Sequence, residues 1–368
     1  MFTVGILGAT GTVGQRFIYR LNEHPFLRIA YLAASPNSAG KTYEEAVGNR
    51  WKMDMDIPPY IKKMIVGDAG KIGDALANSR HLDMVFSAIE GPKERAKEFI
   101  QEKEIEYAAA GIPVVSNNSA HRWTSDIPMI IPEINLDHLK MIDVQKKNRG
   151  WKRGFIVTKP NCSLQSWITP VYALMQKGYW PSELDIVTQQ ALSGAGYPGV
   201  PSWDLMANVI PLIDGEEDKT EREPGKILGR FTGEEIKLND YMDIEATCTR
   251  VPVVNGHLAT VKMRFPGQGP ELEEIIDIWK NFKGLPQTMG LPSAPNPAII
   301  YRSEPDRPQP RIDCNAGNGM AVSVGRLRKM KRSGKYRFAG LSHNTDRGAA
   351  GGAILIAEYL ALERYLTG

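Results

Sequence analysis

Cysteine is scarce in this 368-residue chain: Cys162, Cys248 and Cys314 are the whole complement, widely separated and with no C-x-x-C pair. Such thiols exclude a disulfide framework and lack zinc or dithiol spacing, so no metal site is expected and a reducing compartment, the cytoplasm, fits best. Excess charge is lacking too. Lys and Arg number 45 against 42 Asp and Glu, a formal net charge of +3, with no polybasic tract long enough to grip a phosphate backbone. This argues against nucleic acid as the main partner. Long apolar runs are also absent. The strongest candidate, GGAILIAEYLALERYL, is interrupted by Glu358 and Glu363, and the opening MFTVGILGATGTVG has no basic n-region. Neither a membrane span nor a secretion signal is expected. The chain shows no internal repeat and no low-complexity segment.

What is present suits an ordinary globular protein: 42% hydrophobic and 24% charged residues over a length that suggests two domains. Residues 1–157 alternate short apolar runs (FTVGILG, LRIAYLAA, MVFSAI, IPVVSNNS) with helical patterns (VGQRFIYRLNEH, ERAKEFIQEKEIEYAAAG). That alternation predicts an α/β domain of the doubly wound Rossmann type, a parallel sheet with helices on both faces. From residue 158 the texture changes to longer strands and polar loops, with an acidic stretch, DGEEDKTERE, between them. A second, α+β domain is expected over 158–343. The segment 344–368 reads as a long helix that could return to complete the first domain.

Gly8, Gly11 and Gly14 in VGILGATGTVGQRF follow an apolar strand and precede a helix. This spacing lets backbone N–H groups approach phosphates at a helix N-terminus, the geometry of a dinucleotide site; a plain tight turn is the alternative. The second strand runs into LAASPNSAGK, where an NAD site would place Asp or Glu for the ribose 2′-OH. Ser35, Ser38 and Lys41 could instead receive a 2′-phosphate, which favours NADP, although the same serines suit a solvated loop.

Cys162, in TKPNCSLQSWITPVYALM, stands where a helical pattern of Leu164, Trp167, Ile168, Val171 and Met175 begins. A helix N-terminus stabilises a thiolate, so this is where a reactive cysteine would be placed; a buried spacer fits the position equally. Cys248 and Cys314 have no comparable setting. Among the histidines, His257 follows the turn signal Asn255-Gly256 at a strand start, which suits an acid/base group or a structural histidine. His24, His81 and His138 read as solvated residues flanking helices.

The motifs GATG, FSAI, SNNSAHRW, KPNCS, QQALSGAG, EPGKIL and RVPVVNGH occur in the order found in aspartate-semialdehyde dehydrogenases. The chain resembles that family from residue 3 to about residue 358, its archaeal and fungal-type branch more than its main bacterial one. The resemblance implies NADPH-dependent reductive dephosphorylation of L-4-aspartyl phosphate to L-aspartate 4-semialdehyde, at the branch leading to lysine, threonine, methionine and isoleucine. By it Cys162 is the nucleophile, His257 the acid/base and Gln190 an orienting residue, although the neighbouring Gln189 leaves that register open. Arg250 matches the carboxylate clamp, Glu223 the ammonium acceptor, and Arg122 with Lys226 the phosphate grip; Asn161 belongs to the same substrate set. Gly8, Thr10, Gly11, Thr12, Val13, Ser35, Ser38, Ser87, Gly194 and Asn344 are the implied cofactor contacts, while close helix packing through small residues also explains the TDRGAAGGA run after Asn344. A homodimer or homotetramer acting on a small molecule and inorganic phosphate is implied. Malonyl-CoA reductase or another acyl-phosphate reductase of this architecture is the nearest rival, and a non-catalytic NADP sensor would not need Cys162, His257 and Arg250 together.

Overall fold

The computed structural model describes residues 1–78 and 82–366. Strands β1 (Phe2–Leu7), β2 (Leu27–Ala34), β3 (Val66–Asp68), β4 (Met84–Ser87), β5 (Val114–Ser116) and β6 (Ile156–Thr158) form one parallel sheet in the order β3-β2-β1-β4-β5-β6. Their side chains alternate between two cores: Val4, Ile6, Met84 and Phe86 face one side, Leu7, Val85 and Val114 the other. A sheet buried on both faces needs such continuous apolar strands, which is why they read as runs rather than as alternation. The order reverses between β1 and β4, so the loops at their carboxyl ends splay apart and open a crevice.

The second sheet is mixed. It comprises β7 (Glu183–Gln190), β10 (Asp243–Arg250), β11 (His257–Arg264), β12 (Ile299–Arg302), β13 (Val322–Lys329) and β14 (Tyr336–Ser342), in the order β10-β7-β11-β14-β13-β12. A two-stranded ribbon, β8 (Arg230–Phe231) with β9 (Ile236–Lys237), lies apart from it. Leu184, Ile186, Ala259, Val261 and Phe338 share a core with the helices Ile168–Met175 and Leu272–Asn281, pinned by Trp279 Nε1 donating to the Pro170 carbonyl at 2.9 Å. Along β7, Leu184, Ile186, Thr188 and Gln190 are buried while the residues between them are partly or fully exposed, so the opposite face is only partly covered.

The acidic stretch is helical over most of its length. Residues Glu216–Ile227 form a helix, with Glu216, Glu217 and Asp218 in its first turn, where the dipole favours negative charge, and with the pairs Glu216–Lys219 and Asp218–Arg222 along it. The C-terminal helix also begins later than its pattern suggested. Asn344 lies before it, Asp346–Ala350 forms a π turn, and the α-helix proper runs Gly351–Leu362. Ala353, Ile354, Ala357 and Leu360 pack into the core of the first sheet. The reading of His24 and His138 as solvated needs correction: His138 is buried, with Nε2 3.0 Å from the Gly229 carbonyl, and His24 Nε2 lies 3.0 Å from the buried Glu358 carboxylate. His81 lies outside the described residues. Among those described, no helix is long and apolar enough to cross a membrane.

Candidate active site

The site begins with register. Arg250 at the end of β10 pairs with Gln190 at the end of β7, and His257 at the start of antiparallel β11 lies opposite Ser342 at the end of β14. Gln190, distant in sequence, thus joins Arg250 and His257 at one end of one sheet. Cys162 meets them on the loop leaving β6, the last strand of the first sheet, at the cap of a short 3-10 turn, Ser163–Ser166, that precedes the helix Ile168–Met175.

Cys162 Sγ lies 3.3 Å from His257 Nε2. The other ring nitrogen, Nδ1, accepts the Ala191 N–H at 3.0 Å, and Arg250 Nη1 donates to the Ala191 carbonyl at 2.7 Å, so the backbone of one residue aligns both side chains. Gly194 closes over them. A Cβ there would come within 3.0 Å of Arg250 Nη1 and His257 Cε1, which explains a glycine at this point and places it beside the catalytic candidates. Asn344 Nδ2 donates to Ser193 Oγ at 2.8 Å, and its Oδ1 accepts the Gly256 N–H at 2.9 Å, tying that loop to the turn before His257.

The helix terminus does not by itself make a thiolate. Burial pushes the Cys162 thiol up to about 11, and Glu216 adds to the shift, against the opposing charges of Lys159, Arg122 and Arg250. Burial likewise lowers His257 to about 3, helped by Arg250 and His343. Both groups are therefore uncharged in this state.

The charged candidates are already engaged with one another. Glu223 accepts from Arg122 Nη1 at 2.8 Å and from the Asn161 N–H at 2.7 Å. Arg122 also donates to the carbonyls of Lys159 and Asn117. Lys226 Nζ spends its three N–H bonds on the carbonyls of Arg122, Thr124 and Ile127, at 2.7, 3.1 and 2.8 Å, and so braces the segment carrying Arg122. Gln190 Nε2 reaches Thr188 Oγ1 and Glu216 Oε2, not the thiol. Glu216, which sequence reasoning passed over, accepts from Asn161 Nδ2, Gln190 and Lys219. Its signal was position in the acidic first turn of the helix Glu216–Ile227.

A crevice of about 710 Å³ lies over the β1 and β4 ends. Gly8, Thr10, Gly11, Thr12 and Ser35 line it. Gly8 has φ +85° and sits where a Cβ would be 2.2 Å from the Ala88 carbonyl, while Gly11 caps the helix Thr12–Leu21 with no side-chain bond, leaving first-turn N–H groups for a ligand. Val13 instead packs against the first core. Ser38 is buried outside the lining, and Ser87 is buried beneath it, donating at 2.6 Å to Glu104, whose carboxyl is raised by burial. Arg50 and Asp68 line the crevice without having been singled out from the sequence.

Fold and site together define an enzyme of the semialdehyde dehydrogenase class: residues 3–142 match its NAD binding domain and residues 171–346 its dimerisation domain. The chain is 45% identical to the aspartate-semialdehyde dehydrogenase of Archaeoglobus fulgidus over 99% of both chains, and 42% identical to that of Aspergillus fumigatus over 98% of both. It belongs to the aspartate-semialdehyde dehydrogenase family. The crystal structure of the Candida albicans enzyme with NADP superposes at a TM-score of 0.88, with 36% identity over 99% of both chains. Aspartate semialdehyde dehydrogenase II from Vibrio cholerae, complexed with ASA, shares the fold at a TM-score of 0.72 and 23% identity.

Proposed function

We propose that this enzyme converts L-4-aspartyl phosphate reversibly to L-aspartate 4-semialdehyde with NADPH, through a thioester on Cys162. The observation that carries this reading is the 3.3 Å contact between Cys162 Sγ and His257 Nε2, beside Arg250. A thioester divides acyl reduction into two easier steps. Sulfur displaces phosphate from the acyl carbon, and the later tetrahedral adduct collapses to aldehyde and free Cys162. His257 exchanges protons with sulfur and oxygen during these steps, and Gln190 orients the acyl group.

Arg250 suits the substrate carboxylate and Glu223 its ammonium, with Asn161 between them; Arg122, backed by Lys226, takes the phosphate. The residues present fit a dinucleotide: the Gly8–Val13 turn would hold the pyrophosphate, and a nicotinamide, when bound, would supply the hydride. Ser35 and Arg50 in the crevice, with no Asp or Glu at the end of β2, suit a 2′-phosphate and hence NADP. Ser38 and Ser87 support that lining from beneath, and Gly194 and Asn344 support the nicotinamide end. Residues 1–157 with the C-terminal helix form the cofactor domain, and 158–343 the catalytic and dimerisation domain. A homodimer or homotetramer is supported by the exposed Trp203, Met206, Val209 and Leu212, an apolar strip that a partner copy would cover. The setting is cytoplasmic, at the entry to lysine, threonine, methionine and isoleucine synthesis. In the test, NADP reduction with L-aspartate semialdehyde requires inorganic phosphate, and Cys162→Ala abolishes it while NADPH still binds. Normal turnover by that variant would refute the nucleophile.

A further inference from the structure

Cys162 and His257 stand 95 positions apart, and one short stretch of chain touches both. β14 carries it. Ser342, at the end of that strand, lies opposite His257 in the register with β11, and Asn344, two residues on, accepts the Gly256 N–H. The chain then folds back on itself: the Gly348 N–H donates to the His343 carbonyl at 2.9 Å, and His343 Nδ1 accepts the N–H groups of Thr345 and Asp346, each at 3.3 Å. Within this π turn Gly348 meets the nucleophile. A Cβ there would fall 2.8 Å from Cys162 Cβ and 3.4 Å from its Cα.

Two further contacts dock the segment that carries Cys162 onto the same stretch. A Cβ on Gly340 would run into the Ser166 carbonyl oxygen, so the 3-10 turn lies directly on β14, two residues from Ser342. Arg347, 2% exposed, reaches the helix that follows: its Nη2 donates to Thr169 Oγ1 at 3.0 Å, while Nη1 donates to Glu133 and to the Met320 carbonyl, each at 2.8 Å. Residues 340–348 thus form a spacer, in register with the histidine at one end and pressed against the thiol-bearing residue at the other. A π turn interrupts regular helix and recurs at functional sites.

We propose that Gly348 is a positioning residue for the reaction: its missing side chain allows Cys162 Sγ to stand 3.3 Å from His257 Nε2, the gap across which the proton passes. Gly348 acts through Cys162, and the inference rests on the thioester reading above. A methyl group at this position would have to open the 2.8 Å approach to an ordinary 3.4 Å or more. Arg347 and Asp346, the latter held by Arg20 Nε at 2.7 Å, fix the turn, so the displacement falls on Cys162. A misplacement approaching 1 Å costs about 10- to 100-fold in rate.

The test is a double-mutant cycle on alkylation of Cys162 by iodoacetamide at pH 7, read by mass spectrometry without substrate, in the wild type, Gly348→Ala, His257→Asn and the two combined. A thiol alkylates as its proton leaves, and His257 is the base in contact with it. Gly348→Ala should slow alkylation roughly tenfold and lower kcat about 10- to 100-fold, with KM for the semialdehyde and NADPH affinity near those of the wild type. In the His257→Asn background the same substitution should slow alkylation by less than about twofold, because the contact it disturbs is already gone. Equal slowing in both backgrounds would mean that the methyl group merely obstructs the site, and it overturns the proposal; so does unchanged alkylation in Gly348→Ala.

Gly351→Ala crowds the same turn against the flexible end of Met320, away from the thiol, and should leave alkylation within about twofold of the wild type. A loss equal to that of Gly348→Ala overturns the proposal. Should Gly348→Ala fail to fold, Thr169→Val unfastens Arg347 from the nucleophile's helix without adding bulk. It should slow alkylation only where His257 is present, and no slowing overturns the proposal. Alkylation reads the placement of the thiol and not turnover, so these outcomes are separate from failure of the thioester reading, which Cys162→Ala tests.

Discussion

Acidification should destabilise the fold through histidines that are buried uncharged, and His121 allows the effect to be isolated. Its Nε2 donates to the Gln101 carbonyl at 3.3 Å and its Nδ1 accepts from Thr124 Oγ1 at 3.0 Å, which satisfies the neutral ring completely. Burial lowers it from 6.5 to about 4; the Gln101 bond opposes that shift, Arg149 adds to it and Asp126 opposes it. The folded value lies below the unfolded one, so the unfolded chain takes up the proton first. Stability is therefore full above pH 6.5 and is lost as pH falls toward 4. Linkage gives a loss of about 2 kcal/mol by pH 5 and about 3 kcal/mol once both states are protonated. His257, at about 3, and His343, at about 4, have the same sign, while Glu104, raised by burial, changes in the opposite sense. Comparing the wild type with His121→Gln cancels these other groups. Urea unfolding at pH 7 and pH 5 should show the variant losing about 2 kcal/mol less between the two conditions. Equal losses would mean that burial does not hold His121 neutral.

Arg250→Lys should raise KM for the semialdehyde roughly tenfold or more while leaving NADPH affinity unchanged, because an ammonium cannot grip a carboxylate at two points and also hold the Ala191 carbonyl; an unchanged KM, measured by steady-state kinetics, would remove Arg250 from the substrate site. Gly14→Ala places a Cβ 2.2 Å from the Gly8 carbonyl and 2.6 Å from Ala9 Cα, where backbone must move. It should weaken NADPH binding by fluorescence titration and lower stability by about 1–3 kcal/mol, and wild-type values for both would show that the turn tolerates the change.

The sequence by itself determined the parallel first sheet, because strands buried on both faces must be continuous apolar runs, and it determined the glycine turn, because Gly8 and Gly14 occupy places where a Cβ has no room. It also marked Cys162 and His257 as candidates by their local settings, and Arg250 through motifs that resemble those of the family. Pairing across the second sheet decided what the motifs could not. Gln190, Arg250 and His257 meet because β7, β10 and β11 align in one register, and no local pattern encodes a contact between residues 95 positions apart such as Cys162 and His257. Ionisation was decided there as well. A helix terminus suggested a thiolate, yet dehydration by the surrounding protein outweighs the dipole and keeps Cys162 protonated. Among the described residues the same packing pairs Glu133 with Arg347 and Glu223 with Arg122, a matter of three-dimensional arrangement rather than sequence order.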